Sequence, residues 1–400
     1  MFDFRQTRPV VLAGAVRTPI GKFGGKLRAL SAVELGVAAA AEALKRAGIS
    51  TDDVDEAIFG HARQAGAGPN PARQVSIGAG VAESTPAFTV NQACASGLKA
   101  VMLAAQTVAL GGADVVLAGG MESMSNTPYL LPEARFGYRM GNAKVVDGMY
   151  RDGFMCPLCG DLMGATAERL ARIYQISRKA QDGYAVETHR RAQAARVDGR
   201  FHDEIVPVEV PTPRGESVVV STDEHPREDL TVKHLANLPP VFKENGTVHA
   251  GNSSGVTDGG AAVLVMSEEA AKRHEVNVMA HIIAATQAGV SPSIMGMGPV
   301  PAMRELMEFL KIRIADIDLI ELNEAFAAQV LAVDQELQLD QEKLNVNGGA
   351  IALGHPIGCT GTRILVTLLY EMVRRDAKRG VATLCVSGGM GSSLLVERSG

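Results

Sequence analysis

Apolar residues gather in short runs along the 400-residue chain, most of them bounded by glycine or by charge. Runs at residues 10–16, 57–60, 115–119, 262–266, 319–322 and 383–386 are short enough to predict buried strands. Between them the spacing changes. Over residues 95–110, Leu98, Val101, Met102, Ala105, Val108 and Ala109 fall at helical intervals, which predicts a helix with one buried face. Residues 31–47 and 362–375 follow the same rule. Short apolar strands alternating with helices predict mixed or parallel sheets covered on both faces.

The order of features also repeats. Asp53-Val54-Asp55 introduces a strand, and Asn91 and Gly119-Gly120-Met121-Glu122-Ser123 follow. Later, Asp316-Ile317-Asp318 introduces a strand, followed by Asn347 and Gly388-Gly389-Met390-Gly391-Ser392. The match predicts two similarly folded halves. The middle breaks the pattern with prolines, charges and aromatics in irregular order. Its one strong helical stretch, residues 177–197, has Ser177 placed as an N-cap. The expected organisation is therefore a first half at residues 1–124 completed by about 250–275, an insertion at 125–249, and a second half at 276–400. Insertions of this kind often carry ligand contacts.

Composition narrows the function classes. The chain is longer than one compact core usually holds, and 46% apolar residues suffice for large buried sheets. A net charge of −5 gives no sign of a nucleic-acid partner, although a local basic patch for a phosphorylated ligand is compatible with it. No unbroken apolar stretch reaches the ~18 residues of a membrane span. The first residues run directly into a strand, unlike a signal peptide. Five cysteines are too few and too odd in number for a disulfide framework, so reduced thiols in a cytoplasmic setting are expected. The closing Arg398-Ser399-Gly400 is not a peroxisomal address.

Four segments carry candidate chemistry. Cys94, in Asn91-Gln92-Ala93-Cys94-Ala95-Ser96-Gly97, sits where a strand-like run passes into the helix at 95–110. A thiol at a helix N-terminus is expected to have a lowered pKa, and its small neighbours let a substrate approach. His355, in Gly354-His355-Pro356-Ile357-Gly358, is the best-placed partner to activate a thiol. Cys385 precedes Ser387-Gly388-Gly389-Met390-Gly391, a turn that can offer a thiol and free backbone amides. Asn323-Glu324-Ala325-Phe326 follows the strand at 319–322, at a carboxyl end where α/β sites form. Taken singly, Cys94 also fits a small core residue and His355 a turn residue. Together and in order they point to thiol chemistry.

With these four segments, and Arg17-Thr18-Pro19-Ile20-Gly21 near the start, the chain resembles the thiolases over essentially its whole length. The resemblance implies a duplicated, layered αβαβα fold with an inserted loop domain. It implies that Cys94 takes the acyl group, that His355 activates it, and that Cys385 exchanges a proton with the α-carbon. Asn323 would hold a water that, with His355, stabilises the thioester oxyanion. A second oxyanion hole would use the backbone amides of Cys94 and Ser387. The turn Ala250-Gly251-Asn252-Ser253-Ser254-Gly255 resembles the family's pantetheine contact, with Ser254 as the hydrogen-bonding residue. Arg227 matches an arginine near the nucleotide, and Met295 and Phe326 would wall the acyl pocket.

The implied activity is reversible Claisen condensation of two acetyl-CoA through an acyl-cysteine. Acyl-CoA thioesters are the substrates, and no metal or bound cofactor is required. The stretch from Met124 to Asn142 resembles the loop joining dimers in tetrameric short-chain members, so a homodimer or homotetramer is expected. Leu162 departs from the histidine usual in those members. Three rivals are a degradative 3-oxoacyl-CoA thiolase of fatty-acid β-oxidation, a condensing enzyme using acyl carrier protein, and a non-catalytic lipid binder. Cys156-Pro157-Leu158-Cys159 lacks the second ligand pair a structural zinc needs and reads as incidental thiols. Arg190, Arg191, Arg196 and Arg200 read as a solvated helix face.

Overall fold

A computed structural model describes residues 1–398; Ser399 and Gly400, from the closing tripeptide, lie outside the described residues. The first half contributes β1 (Val10–Arg17), β2 (Glu56–Gly60), β3 (Ala87–Val90), β4 (Val115–Ser123) and β5 (Thr257–Ser267). They stand side by side in the order β3-β2-β4-β5-β1, with β5 antiparallel to both neighbours. The second half contributes β6 (Ala280–Gly289), β7 (Leu319–Leu322), β8 (Arg379–Val386) and β9 (Met390–Glu397), in the order β7-β8-β9-β6. Leu344 bridges in parallel to Ile320 of β7, at the place β3 takes in the first half. Read by position, the two halves share one strand order. They join where β1 pairs antiparallel with β6, at Leu12↔Ala280 and Val11↔His281.

Seven helices position the rest: α1 (Ala32–Ala47), α2 (Ser96–Ala109), α3 (Met163–Ile173), α4 (Arg178–Val197), α5 (Pro299–Leu310), α6 (Ala327–Leu337) and α7 (Ile357–Arg374). Helix α1 covers the outer face of the first half. It starts on a capping box, Ser31 with Glu34, and ends on Gly48 at φ 68°. Helices α5 and α6 pack on the outside of the second half. Between the halves lie α2 and α7, each touching strands of both. The result is a five-layered αβαβα sandwich. Helix α7 is buried on all sides over most of its length, so it lacks a polar face.

The two central helices cross at glycine. A Cβ on Gly361 would stand 2.3 Å from the Leu98 amide, and one on Gly97 would stand 2.7 Å from Thr362 Oγ1. Only residues without side chains allow this approach. It sets how close the ends of α2 and α7 come.

Residues 124–256 leave the sheet after β4 and return at its neighbour β5. They carry α3, α4 and a hairpin of Val208–Pro211 with Ser217–Val220. Ser177 caps α4 as expected, accepting from the Ala180 amide at 3.1 Å. Arg17, at the end of β1, ties this segment down. Its guanidinium meets Glu204 at 2.6 Å and Asp223 at 2.7 and 2.9 Å, all fully buried. Removing one partner from such a network typically costs about 3–5 kcal/mol, because a buried charge is left uncompensated. No helix among the described residues is long and apolar enough to cross a membrane.

Three expectations change. Strand β4 runs past the predicted stretch at 115–119 to Ser123, and its Gly120 lets the Gly358 carbonyl approach. Strands β6 and β9 escaped the apolar pattern. In β9, Ser392 and Ser393 are buried but satisfied, by Gln287 Nε2 at 3.0 Å and Thr383 Oγ1 at 2.8 Å, so polar residues interrupt the run. The arginines of α4 and its exit are not all solvated. Arg191 donates to the Leu344 carbonyl at 2.6 Å and Arg200 to Asn347 Oδ1 at 3.1 Å, binding the insertion to the second half. Arg190 and Arg196 stay exposed, paired with Glu187 and Glu228.

Gly361→Ala is expected to destabilise the protein by about 1–3 kcal/mol through overpacking at the crossing. Denaturant titration measures it; an unchanged midpoint would show that the helices can separate freely.

Candidate active site

The chain turns sharply before the nucleophile candidate. Ala93 has φ 47°, a left-handed conformation that costs a non-glycine residue about 1 kcal/mol or more. Three hydrogen bonds hold it. Asn91 Oδ1 accepts from the Ala93 amide at 3.0 Å, and Ser96 Oγ accepts from the Gln92 amide at 2.9 Å and donates to the Ala93 carbonyl at 2.7 Å. Cys94 therefore sits on a short 3-10 turn, Ala93–Ala95, leading into α2. At the matching place in the second half, His355 precedes α7.

Cys94 and Ser387 line the same cavity, and the backbone amides of Ser387 and of Cys94 itself favour the thiolate of Cys94. The turn supplying the Ser387 amide joins β8 to β9 through Gly388 and Gly389, at φ 90° and 88°. The expected lowering of the thiol pKa does not occur. Burial raises it, and the Ser387 amide, the charge of Arg63 and the Cys94 amide offset that only in part. His355 moves the other way. Burial, with the charges of Arg363 and Arg63, pulls it down to about 3. Both groups are thus neutral near pH 7.

The imidazole is held in one tautomer. Thr360 Oγ1 donates to the Pro356 carbonyl at 2.9 Å, so at 2.6 Å it accepts from His355 Nδ1–H. Nε2 is left as the basic nitrogen. Asn323 Nδ2 lies 3.5 Å from it, and Asn323 Oδ1 is buried without a protein partner. The next residue, Glu324, fixes this corner. It accepts from Tyr184 at 2.8 Å, Thr188 at 2.9 Å, Asn345 at 3.0 Å and the Ile351 amide at 3.1 Å.

One cavity of about 70 Å³ is lined by Cys94, His355, Ser387, Ser254, Met295 and Phe326, together with Arg63. It shares the walls Phe154, Met163, Ser254 and Phe326 with an outer pocket of about 560 Å³. Arg227, Ala250, Leu162, Lys22 and His225 line that outer pocket, giving it a basic rim. Cys385 stands one layer behind, in an apolar cluster with Met295, Ala325 and Phe326. It is fully buried, and burial plus the neighbouring Cys94 push its thiol pKa far up. All the candidates therefore gather at one channel and its wall.

Some contributors were not foreseen. Glu122 is buried and accepts from the Arg63 amide at 3.2 Å, the Ala62 amide at 3.3 Å and the Gly358 amide in the first turn of α7 at 2.9 Å, with His61 at 3.1 Å. A carboxylate there suits the positive end of the helix. Its only sequence signal was its place after the paired glycines. Cys156 and Cys159 lie against the same region: burial raises the Cys156 thiol, and the neighbouring Cys159, Leu158 and Gly388 amides lower it, giving a net downward shift. No group of three or more metal-binding side chains forms among the described residues.

Residues 10–269 match the model of the thiolase N-terminal domain and residues 276–398 that of the C-terminal domain. The chain is 51% identical to the acetyl-CoA acetyltransferase of Cupriavidus necator over 97% of its own length and 99% of that protein. Identity to the Escherichia coli acetyl-CoA acetyltransferase is also 51%, over 97% and 98%. The crystal structure of the Bacillus anthracis acetyl-CoA acetyltransferase superposes with a TM-score of 0.96 at 45% identity, covering 98% and 99% of the two chains. Human mitochondrial 3-ketoacyl-CoA thiolase superposes with a TM-score of 0.95 at 40% identity, again over 98% and 99%. Family models that together span both halves, and relatives matched from end to end, establish that this chain belongs to the thiolase family.

Proposed function

We propose that the protein is an acetyl-CoA C-acetyltransferase, condensing two acetyl-CoA to acetoacetyl-CoA and coenzyme A or running the reverse cleavage. The observation that carries this reading is the single small cavity holding Cys94, His355 and the Ser387 amide at the end of a larger basic-rimmed channel. The channel suits the pantetheine arm, with Ser254 and Ala250 on its wall, and Arg227 and Lys22 at its rim suit the phosphates. The cavity, closed by Met295, Phe326 and Met163, suits a short acyl group. The relatives named as acetyl-CoA acetyltransferases support the same choice. Leu162 stands on the outer pocket, away from the cavity walls.

The chemistry follows from the groups. The thiol of Cys94 attacks the acetyl thioester while its proton passes to His355 Nε2, which the Thr360 contact keeps free for this role. The amides of Cys94 and Ser387 take the oxyanion, and the proton leaves with coenzyme A. Cys385 then passes its thiol proton to His355 and takes an α-proton from a second acetyl-CoA. The enolate oxygen forms beside Asn323 and the protonated His355, the carbanion attacks the acetyl group and expels the Cys94 sulfur, and that sulfur recovers its proton from His355. Two cysteines are needed because the acylated sulfur cannot also serve as base.

The reading extends to a cytoplasmic homodimer or homotetramer. Tyr129, Phe136 and Met140 project from the arm after β4, with Phe136 81% and Met140 96% exposed, and an apolar group of this kind calls for cover.

Thiolytic cleavage of acetoacetyl-CoA and of 3-oxooctanoyl-CoA, each with free coenzyme A, tests the chain-length assignment. A kcat/KM at least about tenfold higher for acetoacetyl-CoA is expected, since a missing fit of even a few methylenes is worth that factor. Preference for the longer thioester would make the enzyme a degradative thiolase instead.

Cys385→Ala is expected to separate the half-reactions. It should still become acetylated on Cys94 by acetyl-CoA, yet lose condensation, cleavage and exchange of the acetyl methyl protons with deuterated solvent. Near-normal cleavage by this variant would reduce Cys385 to a packing residue.

A further inference from the structure

Arg63 lies three residues beyond β2 and is buried, with 6% of its surface exposed. It lines the catalytic cavity together with Cys94 and His355. Its backbone amide is bound by Glu122, but that carboxylate is already committed to His61 and to the Ala62 and Gly358 amides. The guanidinium instead donates from Nη1 to the Asp152 carbonyl at 3.0 Å, while its Nε is buried without a partner among the described residues. It packs so closely on Gly153 that no Cβ fits there. Arg63 thus joins the first half of the fold to residues 150–154 of the insertion, where Phe154 and Gly153 complete the cavity.

An uncompensated buried cation is unfavourable unless an anion forms beside it during the working cycle. The anion available in this cavity is the Cys94 sulfur, once its proton has gone to His355.

We propose that Arg63 is a positioning residue for the nucleophile: its buried guanidinium holds residues 152–153 against the cavity and stabilises the Cys94 sulfur as it becomes anionic. The inference rests on the reading of Cys94 as the acylated group. The direction of the electrostatics agrees, since the charge of Arg63 opposes the upward pull of burial on the Cys94 thiol.

The test is the pH dependence of Cys94 alkylation by iodoacetamide, with the modified peptide identified by mass, in the wild type, Arg63→Lys and Arg63→Gln. Glutamine keeps a donor for the Asp152 carbonyl without charge, and lysine keeps the charge. Arg63→Gln should move the alkylation midpoint upward by about one pH unit, which is tenfold less thiolate at a fixed pH. Its kcat for acetoacetyl-CoA should fall about tenfold with KM little changed, and Arg63→Lys should stay near the wild-type profile. A folded glutamine variant with an unshifted midpoint overturns the proposal. Equal shifts in the two variants, showing that packing and not charge matters, overturn it as well. If thermal unfolding shows that the glutamine variant has lost its fold, the lysine variant decides, and an upward shift of a full unit there counts against the proposal. Alkylation needs no thioester, so its failure leaves the acetyl-transfer reading intact. Failure of acetyl-CoA to label wild-type Cys94 would sink that reading alone.

Discussion

The close crossing of α2 and α7 is the constraint on which the rest of the structure depends. Gly97 and Gly361 let two buried helices meet with backbone almost on backbone. Each helix begins at one of the two functional loops, so the crossing fixes the separation of Cys94 and His355. Glu122, on β4, reaches across to the Gly358 amide and locks the start of α7 to the first half. The duplicated sheets matter to function mainly because they clamp this helix pair from both sides. A site assembled from two halves of one chain then needs no flexible element to bring nucleophile and base together.

Burial governs the electrostatics. Cys94, Cys385 and His355 are buried, so their ionised forms are disfavoured: the two thiols are pushed up and His355 is pulled down. The resting site is a neutral thiol beside a neutral imidazole, and charge separates only as the thioester is attacked. In such a setting fixed amides and a buried guanidinium act far more strongly than they would in water. The same logic explains the ties holding the insertion. Arg17 with Glu204 and Asp223, and Glu324 with Tyr184 and Thr188, are buried polar networks whose members satisfy one another.

Much of this was legible in the sequence, for identifiable reasons. Strands rich in apolar residues, such as β1 and β5, and helices with clean periodicity, such as α1 and α2, announced themselves. The glycine-framed Cys94, His355 and Cys385 segments did so as well, because catalysis close to backbone demands small neighbours. What stayed hidden depends on partners distant in sequence. Strand β9 hides its serines behind Gln287 and Thr383, which no local pattern reveals. Arg63 looks like a loop charge until the insertion folds over it. The expected lowering of the Cys94 pKa failed for a related reason: the helix end is visible in sequence, but the depth of burial that outweighs it is not.

The central claim is that the helix crossing makes Cys94 and His355 one functional unit. The most direct measurement is the burst of coenzyme A released when acetyl-CoA is mixed with Cys385→Ala, which cannot condense, compared between that variant and its double with His355→Asn. The account predicts one equivalent per chain with His355 in place, and acetylation slower by about 100-fold or more without it, the usual contribution of a positioned base. A double variant that acetylates Cys94 at the rate of Cys385→Ala would contradict it.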